Sequence, residues 1–499
     1  MTELTEISGV KNLNNRSMER LTGLLLGAGA SVEAGMPLAW DLTTEIKTKF
    51  TPDKLRELNE GWRLSDVVIE DLAAVLVNPE LHYEAILGHL ETQFRRQRTA
   101  QQEYHGLYSW IVELVYRLLL YRQVNNGAFF DRHLPLYDGL GALASGDAPL
   151  WIFSLNHDLI IEAVAARLGL PLYCGFGPET VTLPRRRGMG EKFGEIRAEV
   201  IREHGLEKGC MNFPNPLKPG IYLLKVHGSL DIFTFNDGKD MIRLLPEKPG
   251  AEGVFETLRD ANTDLFYYAP GWPDGTSRAK GINEIIYADD AGEMQFLRRS
   301  LLAGAYKFDA RANQHLPKSV MKHFRQNLNF VSDLIAIGYS FGDAHINQAI
   351  REWLEFSADR RLEIVAPGIA ELPRDFLHVA RQITLTDIGC TDYLDARAGI
   401  VRSDVEQLEK KIGALTRKMG VTRSQQAIAS FLTSDRGRLE QAFKDKLKTL
   451  PLKDGVPDVS ELGDRDPVTA IKQWSTEIGF GLEETLGRLL DHLDKFNGD

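Results

Sequence analysis

The sequence predicts a doubly wound α/β protein: a Rossmann-like parallel sheet carrying a helical insertion, followed by a C-terminal helical module. Five short apolar runs, 21–26, 150–155, 221–226, 334–337 and 362–365, are continuous rather than alternating, the pattern of strands covered on both faces. Long stretches of helical periodicity separate them, as parallel crossovers require. Small, polar and ionisable residues follow four of the runs, and open parallel sheets bind ligands beyond the carboxyl ends of their strands.

The composition fits this class. Of 499 residues, 43% are hydrophobic and 26% charged, which excludes a collagen-like, low-complexity or mainly disordered chain. Fifty-nine basic against seventy acidic residues give a net charge of -11, the wrong sign for coating nucleic acid by bulk electrostatics. Cys174, Cys210 and Cys390 are far apart and form no CxxC pair, so neither a disulfide framework nor a zinc module is expected. The first twenty residues lack the apolar core of a secretory signal. No apolar run approaches the roughly 20 residues that span a bilayer. A cytoplasmic protein is expected.

The first two runs are separated by a segment too long for one crossover. Within it, 66–76, 82–96 and 103–121 carry apolar residues at three- and four-residue spacing, which predicts a helical insertion over about 40–148. A second insertion, about 179–219, contains Pro184-Arg185-Arg186-Arg187-Gly188, read as a solvated loop, with a groove for nucleic acid or a partner as the alternative. Asn236-Asp237-Gly238 marks a hairpin turn. Strand signals stop near Thr391, so 1–390 is expected to form the nucleotide-binding domain and 391–499 a module of amphipathic helices broken near 451–467.

The strand ends carry the candidate chemistry. The first run leads into Gly27-Ala28-Gly29-Ala30-Ser31 and then Gly35-Met36-Pro37. Gly27 and Gly29 would let backbone amides approach a phosphate at a helix N-terminus; a tight turn with no ligand is the plain alternative. Val32 interrupts the dinucleotide GxGxxG spacing, and no acidic residue closes a second strand some twenty residues on, which counts against a hydride-transferring enzyme. Asn156 and Asp158, two apart, would face one side of an extended strand end and hold a ribose and a carboxamide; helix capping is the alternative for Asp158. His227 suits a general base near neutral pH, or a histidine satisfied by local backbone. Ser340 is placed for phosphate or ribose, whereas Asp343 is expected to cap the following helix.

Taken in order, GAGASxxxGMP, SLNHD, KVHGS and IGYSFGD resemble the sirtuin family, more closely its bacterial sirtuin-like branch found in antiphage defence proteins. The resemblance implies that Gly27, Ala28, Gly29, Ala30 and Ser31 cradle the NAD pyrophosphate, with Gly35 and Pro37 shaping the next loop. It implies that Asn156 is the catalytic asparagine, Asp158 the nicotinamide-side aspartate and His227 the catalytic histidine. Gly338 and Ser340 would form the turn beside the adenosine half. Deacetylating sirtuins carry paired CxxC zinc motifs that this chain lacks; the defence branch also lacks them and hydrolyses NAD+ instead. The implied function is therefore an NAD+ hydrolase releasing nicotinamide and ADP-ribose, with NAD+ as substrate and no metal expected. An NAD-dependent protein deacylase and a non-enzymatic nucleotide-sensing assembly domain are the alternatives. The same branch implies a homo-oligomer or a separately encoded defence partner, whether an ATPase, an Argonaute or a phage-protein trigger. No membrane association or direct nucleic-acid binding is expected.

Overall fold

The computed structural model describes residues 20–96, 99–208, 211–215, 217–268, 278–301, 303–304, 307, 316–450, 452–453, 455–457 and 475–498. The N-terminal stretch 1–19, Cys210 and most of the break at 451–467 lie outside them. The chain forms two compact units, Met1–Ala398 and Gly399–Asp499. The helix Cys390–Ala398, assigned from sequence to the second module, belongs to the first unit, because Cys390, Tyr393 and Leu394 are buried in its main core.

The strands of the first unit are β1 (Thr22–Leu26), β2 (Pro149–Ser154), β3 (Leu172–Tyr173), β4 (Thr180–Arg187), β5 (Glu191–Ile201), β6 (Gly220–Lys225), β7 (Ile232–Phe235), β8 (Asp240–Leu244), β9 (Glu284–Ala288), β10 (Met294–Arg299), β11 (Asp333–Ile337), β12 (Arg361–Val365) and β13 (Ile383–Thr386). Seven of them form a sheet in the order β13-β12-β11-β1-β2-β6-β3, and every pairing in it is parallel. All five apolar runs are strands of this sheet. Their continuity has the expected cause. Leu24, Leu26 and Ile152 belong to the core on one face, and Leu25, Trp151 and Phe153 to the core on the other. From β1 the chain moves to β2 and β6 on one side, whereas β11, β12 and β13 build out on the other. The strand order therefore reverses between β1 and β11, the switch point where such sheets open a crevice.

The helical insertion occupies the chain between β1 and β2, with helices at Ala39–Lys49, Pro52–Trp62, Asp66–Val77, Tyr83–Arg96 and Gln101–Val124 among its elements. Thr51 caps the second of these through the Lys54 amide, and Pro52 occupies the first turn where its missing N–H costs nothing.

The second insertion corrects the sequence reading. The arginine-rich stretch is no solvated loop: it ends β4, paired antiparallel with β5 in a six-stranded sheet of order β4-β5-β8-β7-β10-β9. Arg185 reaches Asp264 at 2.7 Å and Asp260 at 2.9 Å on the helix Gly250–Asp264, so part of the charge run is an internal tie. This sheet buries alternate residues such as Ile196, Ala198 and Val200 against Ala261 of that helix and Leu265 just beyond its end. The turn at Asn236-Asp237-Gly238 joins β7 to β8, with all three residues at positive φ.

The second unit contains helices Asp404–Met419, Val421–Lys448 and Leu482–Gly498 around a small core of Met419, Ala427 and Leu493. Ser403 and Glu406 cap the first of them reciprocally. No described helix is long and apolar enough to cross a membrane.

Candidate active site

The carboxyl ends of β1, β2, β6 and β11 meet around one cleft of about 870 Å³, lined by Gly27, Ala28 and Gly29, by Asn156, His157 and Asp158, by His227, and by the stretch 338–345 less Phe341. The four motifs singled out in the sequence therefore share one site, at the switch point. Ligand pockets commonly measure about 300–1,000 Å³.

The floor is set by two interlocked turns. The Gly27 amide donates to Ile337 O and the Gly29 amide to Gly338 O, both at 3.0 Å. Gly338 has φ +62°, and a Cβ there would stand 2.3 Å from the Ala30 nitrogen, so no larger residue fits. The Gly27 and Gly29 amides themselves therefore already donate within the protein. Their smallness serves the close approach of β1 and β11. Gly27, Ala28, Gly29 and Pro37 still line the cleft. Ala30, Ser31 and Gly35 do not: Ala30 and Ser31 are buried, and Gly35 turns the chain at φ +79° against Phe129.

Ser31 has a different use. The Asn156 side-chain nitrogen donates to Gly27 O at 2.8 Å and to Ser31 Oγ at 2.9 Å. Only the NH₂ end of an amide can donate to a carbonyl, so the orientation of Asn156 is fixed and Oδ1 is its remaining polar end. Asp158 Oδ1 accepts from the Ile160 amide at 3.2 Å, so it shapes the start of the helix Ile160–Leu168 while also lining the cleft. Lys225, buried on β6, donates to the carbonyl oxygens of Asp158 and, at 3.4 Å, of Asn156.

His227 is buried, and its Nε2 lies 3.1 Å from His345 Nε2. Burial holds its pKa well below the ordinary histidine range, with the charges of Lys307, His345 and His157 acting the same way; at neutral pH it is the uncharged, base form. Burial likewise lowers His345 to about 4 and His157 to about 3. Lys307 stays charged: burial opposes the ammonium, but Glu84 at 2.7 Å and Asp343 at 3.1 Å raise its pKa. Asp343 therefore departs from the capping role expected of it. Its carboxylate pairs with Lys307 and makes no side-chain cap to the helix Ala344–Phe356, because a buried ammonium needs a counter-charge more than an exposed helix end needs a cap. Ser340 is exposed at the rim.

Sequence reasoning missed five contributors. Trp40, His82 and Glu84 of the helical insertion line the cleft, as do Lys307 and His345. His345 was within reach, two residues beyond Asp343 in the fourth strand-end motif. The others come from segments with no local signal. Among the described residues, His227, Asp343 and His345 are the three that bring metal-ligating atoms together, all within 4.8 Å of one another.

The fold and cleft define a doubly wound α/β protein with a histidine-rich crevice at its switch point. No family model matches the chain, and no curated protein matches it. Among solved structures, SIR2 in complex with the inhibitor EX-527, 2'-O-acetyl-ADP-ribose and deacetylated p53 peptide is similar at 12% identity, covering 77% of this chain and 95% of that chain with a TM-score of 0.27. At that identity and score the likeness carries nothing about ligand, chemistry or partners.

Proposed function

We propose that this protein is an NAD+ glycohydrolase that cleaves the nicotinamide–ribose bond, releasing nicotinamide and ADP-ribose, and that it serves antiphage defence by depleting NAD+ in the infected cell. The observation that carries this reading is the meeting of Asn156 and His227 in one switch-point cleft of about 870 Å³.

In the proposed reaction the C1′–N bond breaks and its electron pair leaves with nicotinamide, which departs neutral. Positive charge builds on the ribose. A water oxygen bonds to C1′, and its proton passes to the His227 imidazole. Asn156, held by Gly27 and Ser31, orients that water or a ribose hydroxyl through Oδ1. Asp158 lies on the same strand end for the carboxamide. The second unit and the helical insertion would restrain or assemble the enzyme until a trigger arrives, as a homo-oligomer or with a separately encoded partner, in the cytoplasm.

The test is incubation of the purified chain with NAD+, with and without candidate partners, followed by chromatographic product analysis. Nicotinamide and ADP-ribose formed without any acyl-lysine substrate support the reading. Turnover that requires an acylated peptide would make it a deacylase, and nucleotide binding with no product in any condition would make it a sensor. A defence role predicts that cells expressing the chain lose NAD+ on phage infection, and that cells expressing the Asn156→Ala variant do not.

A further inference from the structure

We infer that His227, His345 and Asp343 form a binding site for a divalent ion of the zinc class, and that the bound ion silences the cleft. The silencing half rests on the reading of His227 as the base; the binding half does not.

The donor set selects the ion. Two imidazoles and one carboxylate suit zinc, cobalt or nickel, whereas magnesium and calcium favour oxygen-only shells. The spacing is close to what such an ion needs. With metal–nitrogen bonds of about 2.0–2.1 Å at tetrahedral angles, two ligating nitrogens stand about 3.4 Å apart. The Nε2 atoms of His227 and His345 are 3.1 Å apart, and the donor atoms of all three residues lie within 4.8 Å of each other. A shift of a few tenths of an ångström therefore opens the imidazole pair around an ion, and the Asp343 carboxylate, whose donor lies within 4.8 Å of both, must swing inward by up to about 1.4 Å to complete the set.

The supports are already present. Lys307 holds Asp343 Oδ1 at 3.1 Å, leaving Oδ2 as the donor and fixing the carboxylate plane, as partners of a ligating carboxylate do. The Lys307 charge opposes a cation, but Glu84 sits against it at 2.7 Å. Glu84, Asp343 and Lys307 together carry one net negative charge before the ion enters. Three protein ligands bordering a cleft leave a fourth position for water, the arrangement of open rather than sealed zinc sites. The ion would take the Nε2 lone pair of His227, so no proton could be accepted there.

The full-length chain, stripped with EDTA and dialysed, is titrated with cobalt(II) and then zinc(II), following visible absorption and heat. One ion per chain, an intense four-coordinate cobalt spectrum and its displacement by zinc are expected. His345→Ala and Asp343→Asn should each weaken zinc binding at least tenfold. His345→Gln fills the same volume and can hydrogen-bond His227 but ligates poorly; it should behave like the alanine variant, with circular dichroism verifying the fold. NAD+ cleavage should fall over the same zinc range and return on adding EDTA. Unchanged stoichiometry and affinity in the folded His345→Gln variant would overturn the site, as would no binding below about 100 μM zinc. Zinc binding intact with no NAD+ cleavage in any condition supports the site and sinks the glycohydrolase reading instead. Zinc bound at these residues with cleavage undiminished overturns the silencing half.

Discussion

Two buried charge clusters in the first unit use the same residue types and face very different spaces. In one, Lys225 lies 3.2 Å from Glu162 and Arg243 lies 3.3 Å from Asp231, and all four side chains are almost fully enclosed. The gap beside them, lined by Glu162, Cys174, Lys225 and Arg243, measures about 20 Å³, room for little more than a water molecule. In the other, Lys307 sits between Glu84 and Asp343 at the wall of the 870 Å³ cleft. Burial pushes Glu162 up to about 7 despite Lys225, the mark of a carboxylate whose only solvation is its partners. Charge alone therefore does not mark a site. Access does: the enclosed cluster pins β6 and the helix Ile160–Leu168 together, while the open one leaves donors and acceptors facing a volume that a ligand can enter.

The sharpest separation is catalytic. His227→Ala and Asn156→Ala should each lower the rate of nicotinamide release by about 10²–10⁴-fold while circular dichroism shows that the fold is kept. Retained turnover in either variant would show that the cleft is not the reacting site. The next largest effect belongs to the enclosed cluster. Lys225→Met removes the ammonium that pairs with buried Glu162 and should cost about 3–5 kcal/mol in denaturant unfolding. Lys307→Met leaves carboxylates that water in the cleft can reach, and should cost only about 1–3 kcal/mol. Equal losses would erase the difference between the enclosed and the open cluster.

Acid should act on the cleft side as well. His157 is held near 3 in the folded protein by burial first and by the Lys307 charge second, against about 6.5 when unfolded. Between those values the unfolded chain binds the proton and the folded chain does not, so stability is present above about 6.5 and falls as the pH drops toward about 3. Unfolding free energies measured between pH 7 and 4 should slope downward, and His157→Gln should lessen that slope, the remainder coming from His227 and His345, which burial lowers in the same sense. The smallest effect is expected at Arg187, whose pair with Glu191 is exposed on both sides: Arg187→Ala should change stability by less than about 0.5 kcal/mol, although Arg185, two residues away, is an internal tie.

The parallel sheet was legible because a strand covered on both faces must be apolar throughout, and such runs survive any register. The antiparallel sheet was not, because through Ile196, Ala198 and Val200 β5 buries alternate residues only, and charged residues such as Glu195 and Arg197 stand between them. The triple arginine obscured β4 for the same reason. In the site, Asn156, Asp158, His227 and Ser340 were legible because strand ends are where this architecture gathers polar groups. Lys307, His82 and Trp40 were not, since only the three-dimensional path of the insertion and of the segment before β11 brings them to the cleft. The amide use of Gly27 and Gly29 and the true partner of Asp343 were hidden likewise: each depends on an atom hundreds of residues away or on a lysine with no local signature.

The meshing of the Gly27–Gly29 bend with Gly338 has a further consequence for how this chain can change over generations. Neither bend can gain a methyl group alone, and each is the template against which the other is shaped. The two halves of the crevice are thus bound to drift as one: a lineage that remodels the first turn must remodel the last in step.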